Sequence, residues 1–392
     1  MKKKNSFLLK LTLLLSAFMV QADPMILQPN IASVAEEYPQ YSYATITIII
    51  TVSAFFLGVA SLMVGGLAKK FSKKSLLIVG SVLFTVGGVA TSFVPGFALI
   101  IVTRIIEGFG AGMVITTSMT LIPEMFPDEK EANQLLGLNG VATAVFGAVI
   151  GLVAGYLGVI SWRTANLLYL VGIVVLLCQL IAVPGKKDSP SGEQVQSGKI
   201  TSSAISITVM AFLFAVVSTM FMTSVANFIV ESEMGDSSQA GIATTVMTIG
   251  SFIIGFAFAK IFEKFGLWTP AFAFVCMAIG VALPLLITTY PVALAGTFIF
   301  GIGYGTYFPY INAETIRVSP PESSDANISL VNGGYYCGMF ASSFLMAAIN
   351  SIFNDSSAYF NYQFMVVAFI IFVIYYVIRS LVGRKKNGSA AA

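Results

Sequence analysis

The sequence predicts an all-α membrane protein of twelve transmembrane helices, built as two six-helix parallel repeats. Three observations lead there. Hydrophobic residues make up 57% of the 392 and charged residues only 10%, against roughly 25% charged in a soluble domain. Apolar segments of the length needed to cross a bilayer, about 20 residues, recur along the whole chain. Finally, short motifs from the first half return in the second at a fixed offset of 191 residues.

The expected spans lie near 7–35, 43–68, 75–94, 97–122, 133–158, 163–183, 203–230, 239–262, 268–288, 291–313, 326–351 and 358–380. The first begins behind Lys2-Lys3-Lys4, as a signal peptide would, but its apolar pattern runs on to Ala35, too far for a signal-peptide core. Turn signals separate the rest: Tyr38-Pro39, Pro95-Gly96, Phe126-Pro127-Asp128, Tyr290-Pro291 and Ser319-Pro320-Pro321. With the N-terminus inside, 19 of the 21 Lys and Arg fall in inner segments, whereas Glu36, Glu37, Glu231, Glu233, Asp236 and Asp355 fall outside. That asymmetry predicts a multi-pass protein of the cytoplasmic membrane with both termini cytoplasmic.

The polar, Gly-, Ser- and Pro-containing stretch 184–202 reads as a cytoplasmic linker. It divides the chain into an N-terminal bundle (1–183) and a C-terminal bundle (203–382), with a tail at 383–392. The repeat supports the division. Ala68–Lys73 (AKKFSK) matches Ala259–Lys264 (AKIFEK), and Phe109–Gly112 (FGAG) matches Phe300–Gly303 (FGIG) at the same offset. Both copies share one side of the membrane, which implies parallel repeats.

Twelve spans, the duplication and the central linker together resemble the major facilitator superfamily. Local motifs agree. Gly65–Lys74 (GGLAKKFSKK) is similar to the family's loop signature between helices 2 and 3. Arg104–Gly112 (RIIEGFGAG) resembles its helix 4 motif, and Gly147–Leu152 (GAVIGL) and Ser161–Arg163 resemble segments of the drug–proton antiporter branch. Lys69 stands where the loop signature has an Asp and Ser72 where it has a Gly; Ala148 replaces the helix 5 proline. The resemblance implies alternating access and a charge latch in that loop. With Lys69, the loop is expected to dock on lipid phosphates or on acids such as Glu124 and Asp128.

Three charges are expected deep in the membrane: Asp23, Arg104 and Glu107. Such charges are rare and usually functional. At 1.5 Å per residue the two acids lie ~15 Å below the outer end of their helices, close to the midplane, with the arginine one turn outward. Two carboxylates sharing one guanidinium make a site that can gain or lose a proton; without histidine in the chain, proton chemistry falls to such carboxylates. The alternatives are a fixed Asp23–Arg104 ion pair and a Glu107 that only orients Arg104. Ser16, Asp23 and Asn30 share a helix face that is expected to line an aqueous cavity, with Pro24 and Pro29 kinking the helix beside it.

The second half offers aromatics instead. Tyr304 and Tyr307 share one face, as do Asn332, Tyr335, Tyr336 and Met339; Asn227 adds an amide on helix 7. With Asn30 they are candidate substrate contacts for a lipophilic or ring-bearing molecule, or else ordinary packing. Lys69, Glu124, Glu314 and Arg317 are candidate gating residues, or solvated helix ends. Cys178, Cys276 and Cys337 lie in apolar runs and read as core residues.

The expected function is proton-coupled transport of a small organic molecule, with export by antiport suggested by the resemblance. Uptake of an organic acid or nutrient by symport or exchange is the alternative, and a non-transporting membrane receptor a third reading. Neither a nucleophile–base set nor a metal-ligand cluster is evident, so no enzyme activity, cofactor or metal is expected. The expected partners are a small-molecule substrate, protons and membrane lipids around a monomer, without nucleic acid.

Overall fold

A computed structural model describes residues 3–68, 70–126, 128–185, 200–320 and 323–389. Lys69 and the linker residues 186–199 lie outside these ranges. Among the described residues the secondary structure is helical throughout, without strands.

The N-terminal bundle comprises α1 (Lys3–Leu27), α2 (Ile31–Glu37), α3 (Tyr43–Ile46), α4 (Ile48–Leu67), α5 (Lys73–Ala90), α6 (Phe97–Met125), α7 (Glu129–Ile160), α8 (Trp162–Ala165) and α9 (Val171–Ala182). The C-terminal bundle comprises α10 (Ser202–Glu231), α11 (Ser237–Phe265), α12 (Thr269–Leu286), α13 (Tyr290–Val318), α14 (Ser324–Phe353) and α15 (Ala358–Ser389). Eleven spans among the described residues are long and apolar enough to cross a membrane. The first expected span is a broken helix rather than a continuous one. Pro24 lies inside α1, and a 3-10 turn carrying Pro29 (Gln28–Asn30) separates α1 from α2. Proline supplies no N–H to the helical ladder, so the break falls where the sequence places it.

Helix ends are fixed by local chemistry. Ser72, in the position where the family loop signature has glycine, caps α5 by accepting from the Ser75 N–H at 3.1 Å. Asp236 and Gln239 form a reciprocal capping box at the start of α11.

The basic end of the bundle carries Lys10, Lys73, Lys74, Arg317 and Arg379; the opposite end carries Glu37, Glu231 and Asp236. The two bundles meet along α4 against α14 and α7 against α11. Hydrogen bonds between them gather toward the acidic end. Ser33 and Ser237 hydroxyls lie 3.1 Å apart, Thr47 donates to Ser343 Oγ at 2.8 Å, and Tyr43 donates to the Thr223 carbonyl. On α7 and α11, Gly155 faces Gly241 so closely that a Cβ on either would press the other backbone at 2.9 Å. One buried core joins Leu27, Ile31, Val34 and Ile50 with C-terminal residues such as Phe221 and Phe228. The two bundles are thus closed on one another at the acidic end.

Candidate functional site

Asp23, Arg104 and Glu107 come together inside the N-terminal bundle. Arg104 and Glu107 are one turn apart on α6, seven and ten residues from its start at Phe97. Arg104 and Glu107 have no exposed surface and Asp23 only 2%. The Arg104 guanidinium makes hydrogen bonds through Nε and Nη1 and ion-pair contacts through Nη2. Nε donates to the Ile49 carbonyl at 3.0 Å, and Nη1 donates to the Tyr169 hydroxyl at 2.8 Å. Nη2 pairs with Asp23 Oδ1 and lies 3.2 Å from Glu107 Oε2. Ser53 of α4 completes the group: its Oγ is 2.9 Å from Asp23 Oδ2 and 2.5 Å from Glu107 Oε2.

The glycines of the RIIEGFGAG run make this approach possible. A Cβ on Gly108 would lie 2.2 Å from the Ser53 carbonyl oxygen, and one on Gly112 would lie 2.2 Å from that of Leu57. Gly88 on α5 admits the Tyr169 ring, which carries the phenol to Arg104. Small residues thus bring four helices near enough for short polar contacts, as membrane packing requires.

The expected cavity-facing stripe on the first helix is corrected by burial: Ser16, Asp23 and Asn30 all face protein. Ser16 Oγ accepts from Gln179 Nε2 at 3.2 Å, while Asn30 donates to the Ile26 and Ala154 carbonyls. Asn30 therefore fastens the broken helix to α7. The reason is helix packing: the face that sequence periodicity marks as polar meets α9 at Ser16, α4 and α6 at Asp23, and α7 at Asn30.

The aromatics of the C-terminal bundle largely satisfy one another. Tyr304 and Tyr335 hydroxyls lie 2.6 Å apart, as do those of Tyr307 and Tyr376. Tyr307 is 1% exposed and Tyr335 6%, whereas Tyr304, Tyr336 and Asn332 are half-buried. Tyr336 packs where a Cβ on Gly58 would fall, so it spans both bundles. Asn227 stands apart from this group, donating to Glu231 Oε2 at 3.0 Å near the acidic end.

At the basic end, Lys73 pairs with Glu124, and Lys74 donates to the Leu180 carbonyl at 2.8 Å. Lys73, the first residue of α5, thereby docks on an acid of the same bundle. Glu314 corrects the solvated-end expectation. It is 2% exposed and accepts two 2.8 Å hydrogen bonds from Arg317, with Arg379 of α15 at 3.2 Å. Arg379 was invisible to helix-local reasoning because it lies 65 residues away. The cysteines are likewise corrected: Cys178 and Cys276 are half-buried and Cys337 is exposed, since the apolar runs that hold them have outward faces. At the acidic end Arg163 pairs with Glu37 at 2.6 Å and Trp162 Nε1 donates to the same carboxylate at 2.6 Å. Burial pushes the Glu37 carboxyl up, but the Arg163 and Trp162 hydrogen bonds and the Arg163 charge outweigh it and hold it below its ordinary range.

A model of the Major Facilitator Superfamily matches residues 13–209 and again 207–392. The chain belongs to the major facilitator superfamily. The two matched stretches together run from residue 13 to residue 392. Among relatives within the superfamily, the Multidrug resistance protein Stp of Mycobacterium tuberculosis (strain CDC 1551 / Oshkosh) is 30% identical over 137 residues, 34% of this chain and 25% of that protein. The Methylenomycin A resistance protein of Streptomyces coelicolor (strain ATCC BAA-471 / A3(2) / M145) is 21% identical over 373 residues, 78% of either chain. The match to Stp thus spans about a quarter of that relative's length. Among solved structures, a D-xylose-proton symporter superposes with a TM-score of 0.73 at 14% identity, covering 93% of this chain and 97% of the symporter. Proteins similar to this chain in sequence or in fold therefore include resistance proteins and a sugar symporter, so function must be argued from the site.

Proposed function

We propose that the protein is a proton-coupled secondary transporter that exports small lipophilic organic molecules from the cytoplasm by antiport, alternating access between its two bundles. The observation that carries this is the buried Asp23–Arg104–Glu107 cluster. Two acids and one guanidinium, sealed from solvent, are costly to keep in a membrane protein without a use. Their balance shifts by one charge when one proton binds, which is the change that a proton-driven cycle requires. The drug-resistance proteins among its relatives, one of them named a multidrug efflux pump, support drug-like compounds as cargo and export as direction.

In this reading the basic end faces the cytoplasm, following the positive-inside bias, and the closed acidic end faces out. Cargo reaches the half-buried Tyr304, Asn332 and Tyr336 from the basic side. Lys73–Glu124 and Glu314–Arg317–Arg379 hold the inner ends of the helices within each bundle while the bundles move against one another.

The test is transport by the purified protein reconstituted in liposomes, with an imposed pH gradient and a panel of lipophilic cations, neutral aromatic drugs, sugars and organic acids. Exchange of lipophilic compounds against protons, abolished by a protonophore, is the expected result. Movement of the panel with no dependence on the pH gradient, or of sugars and organic acids alone, would overturn the proposal.

A further inference from the structure

We infer that Ser53 is a proton bridge between Glu107 and Asp23, that the resting proton sits on Glu107, and that it leaves the buried site through Asp23. This deepens the proton-coupled reading above and rests on it.

The starting point is a count of hydrogens. Ser53 Oγ is within hydrogen-bonding distance of a carboxyl oxygen on each acid, 2.9 Å from Asp23 Oδ2 and 2.5 Å from Glu107 Oε2. A hydroxyl carries one proton and two lone pairs. Donation to one carboxyl leaves the other contact as an acceptor position, which needs a proton from the second acid. Charge points the same way. Two carboxylates against one guanidinium, all buried, would leave an uncompensated negative charge, and like charges this close do not both ionise readily. The titratable groups facing Glu107 are Asp23 from α1, Arg104 one turn away on α6, and Tyr169 from the 3-10 turn Asn166–Leu170; α4 presents Ser53 and α5 presents Gly87.

The two acids are not equivalent. Asp23 Oδ1 pairs directly with the guanidinium. Asp23 Oδ1 and Glu107 Oε1 are both buried without a hydrogen bond among the described residues, but Asp23 Oδ1 lies in ion-pair contact with Arg104, whereas the ion-pair contact of Glu107 is made by its other oxygen, Oε2. A bare oxygen is far less costly on a neutral carboxylic acid than on a carboxylate. The proton therefore rests on Glu107, whose O–H donates to Ser53 Oγ, while Ser53 donates to Asp23.

Exposure then sets the route. Glu107, Ser53, Arg104 and Tyr169 have no exposed surface; Asp23 retains 2%. Arg104 does not give up its proton, and the Tyr169 hydroxyl contacts Arg104 and the Asp23 carbonyl rather than Glu107. The bridge thus runs Glu107–Ser53–Asp23. In the transfer, the Glu107 Oε2–H bond breaks as a new Ser53 Oγ–H bond forms, and the former serine proton passes to Asp23 Oδ2. Glu107 ends as a carboxylate, Asp23 as an acid, and the serine hydroxyl is restored. Arg104 Nη2, already 3.2 Å from Glu107 Oε2, stays paired in both states.

Infrared spectroscopy of the purified protein in lipid tests this without any transported compound. The C=O stretch of a protonated, buried carboxyl should be present in the wild type, shift to lower frequency when the glutamates carry a 13C-labelled side-chain carboxyl, and stay in place when the aspartates carry that label. After transfer to D2O, the exchange of that carboxyl proton should slow on the order of 100-fold in Ser53→Ala, the low end of what positioned proton transfer contributes, and recover in Ser53→Thr. A purely structural serine would leave the exchange rate unchanged in a folded Ser53→Ala protein. Exchange at the wild-type rate in Ser53→Ala, or a band that shifts with labelled aspartate and stays in place with labelled glutamate, would overturn the inference; should Ser53→Ala not fold, the two labelled wild-type preparations decide. A wild type that ignores the pH gradient in liposomes would instead overturn the transport reading alone, because the infrared band reports the proton's location whether or not cargo moves.

Discussion

Arg104→Ala is expected to destabilise the N-terminal bundle by about 3–5 kcal/mol, the usual cost of removing one partner from a buried ion pair. The guanidinium serves four partners from three helical segments and a turn: the Ile49 carbonyl, the Tyr169 hydroxyl, Asp23 and Glu107. Without it both acids remain buried beside Ser53 with no counter-charge, and the cheapest response is to protonate both. The variant then loses the ionised state along with stability, so gradient-driven transport should disappear. Arg104→Lys keeps the charge but has a single nitrogen with three donors, which cannot reproduce a planar fork with four partners. It should fold better than the alanine variant yet transport poorly. Thermal unfolding in detergent, followed by fluorescence, and transport in liposomes separate the two effects. Wild-type behaviour of both variants would show that the arginine organises nothing.

Gly108→Ala is the second large effect, and its sign is unusual for glycine in a helix. Replacing an exposed helical glycine with alanine stabilises by about 0.5–1 kcal/mol through backbone entropy. Gly65, whose added Cβ would meet nothing within 4 Å, should behave that way. At Gly108 the same methyl would sit 2.2 Å from the Ser53 carbonyl and 2.7 Å from its hydroxyl. Helices α4 and α6 must separate, an overpacking cost of typically about 1–3 kcal/mol. The separation also lengthens the Ser53–Glu107 contact, so transport should fall more than stability alone would require. Melting temperatures of Gly65→Ala and Gly108→Ala that move in the same upward direction would contradict the packing described for this helix pair.

The helices were legible because lipid imposes a simple rule: about 20 apolar residues per crossing, with basic residues at one end. The duplication was read from two matches at one offset, AKKFSK with AKIFEK and FGAG with FGIG. Pro29 marked the break in the first helix, though not the 3-10 turn and separate α2 that follow. Asp23, Arg104 and Glu107 stood out because charges in apolar runs are conspicuous. Ser53 and Tyr169 did not, since a serine or tyrosine in such a run raises no signal. The trace they left was indirect: Gly108 and Gly112, one turn apart, announce a close helix neighbour without saying which residue it brings. Polar periodicity on the first helix misled for a related reason. It identifies a face but not what covers the face, and here α4, α6, α7 and α9 do. Glu314 was misread because its second arginine comes from another helix, and no local pattern anticipates that.

The central claim is that the Asp23–Arg104–Glu107 site couples cargo to protons, and Asp23→Asn in liposomes tests it most directly. The amide keeps the shape of the side chain and its contact with Ser53 but can neither ionise nor accept the transferred proton. Two assays on one preparation are needed: accumulation of a lipophilic compound under an imposed pH gradient, and exchange of labelled for unlabelled compound with no gradient. Asp23→Asn should lose accumulation while retaining exchange, because the bundles still move and only the proton step is missing. Accumulation at the wild-type level in Asp23→Asn would contradict the account.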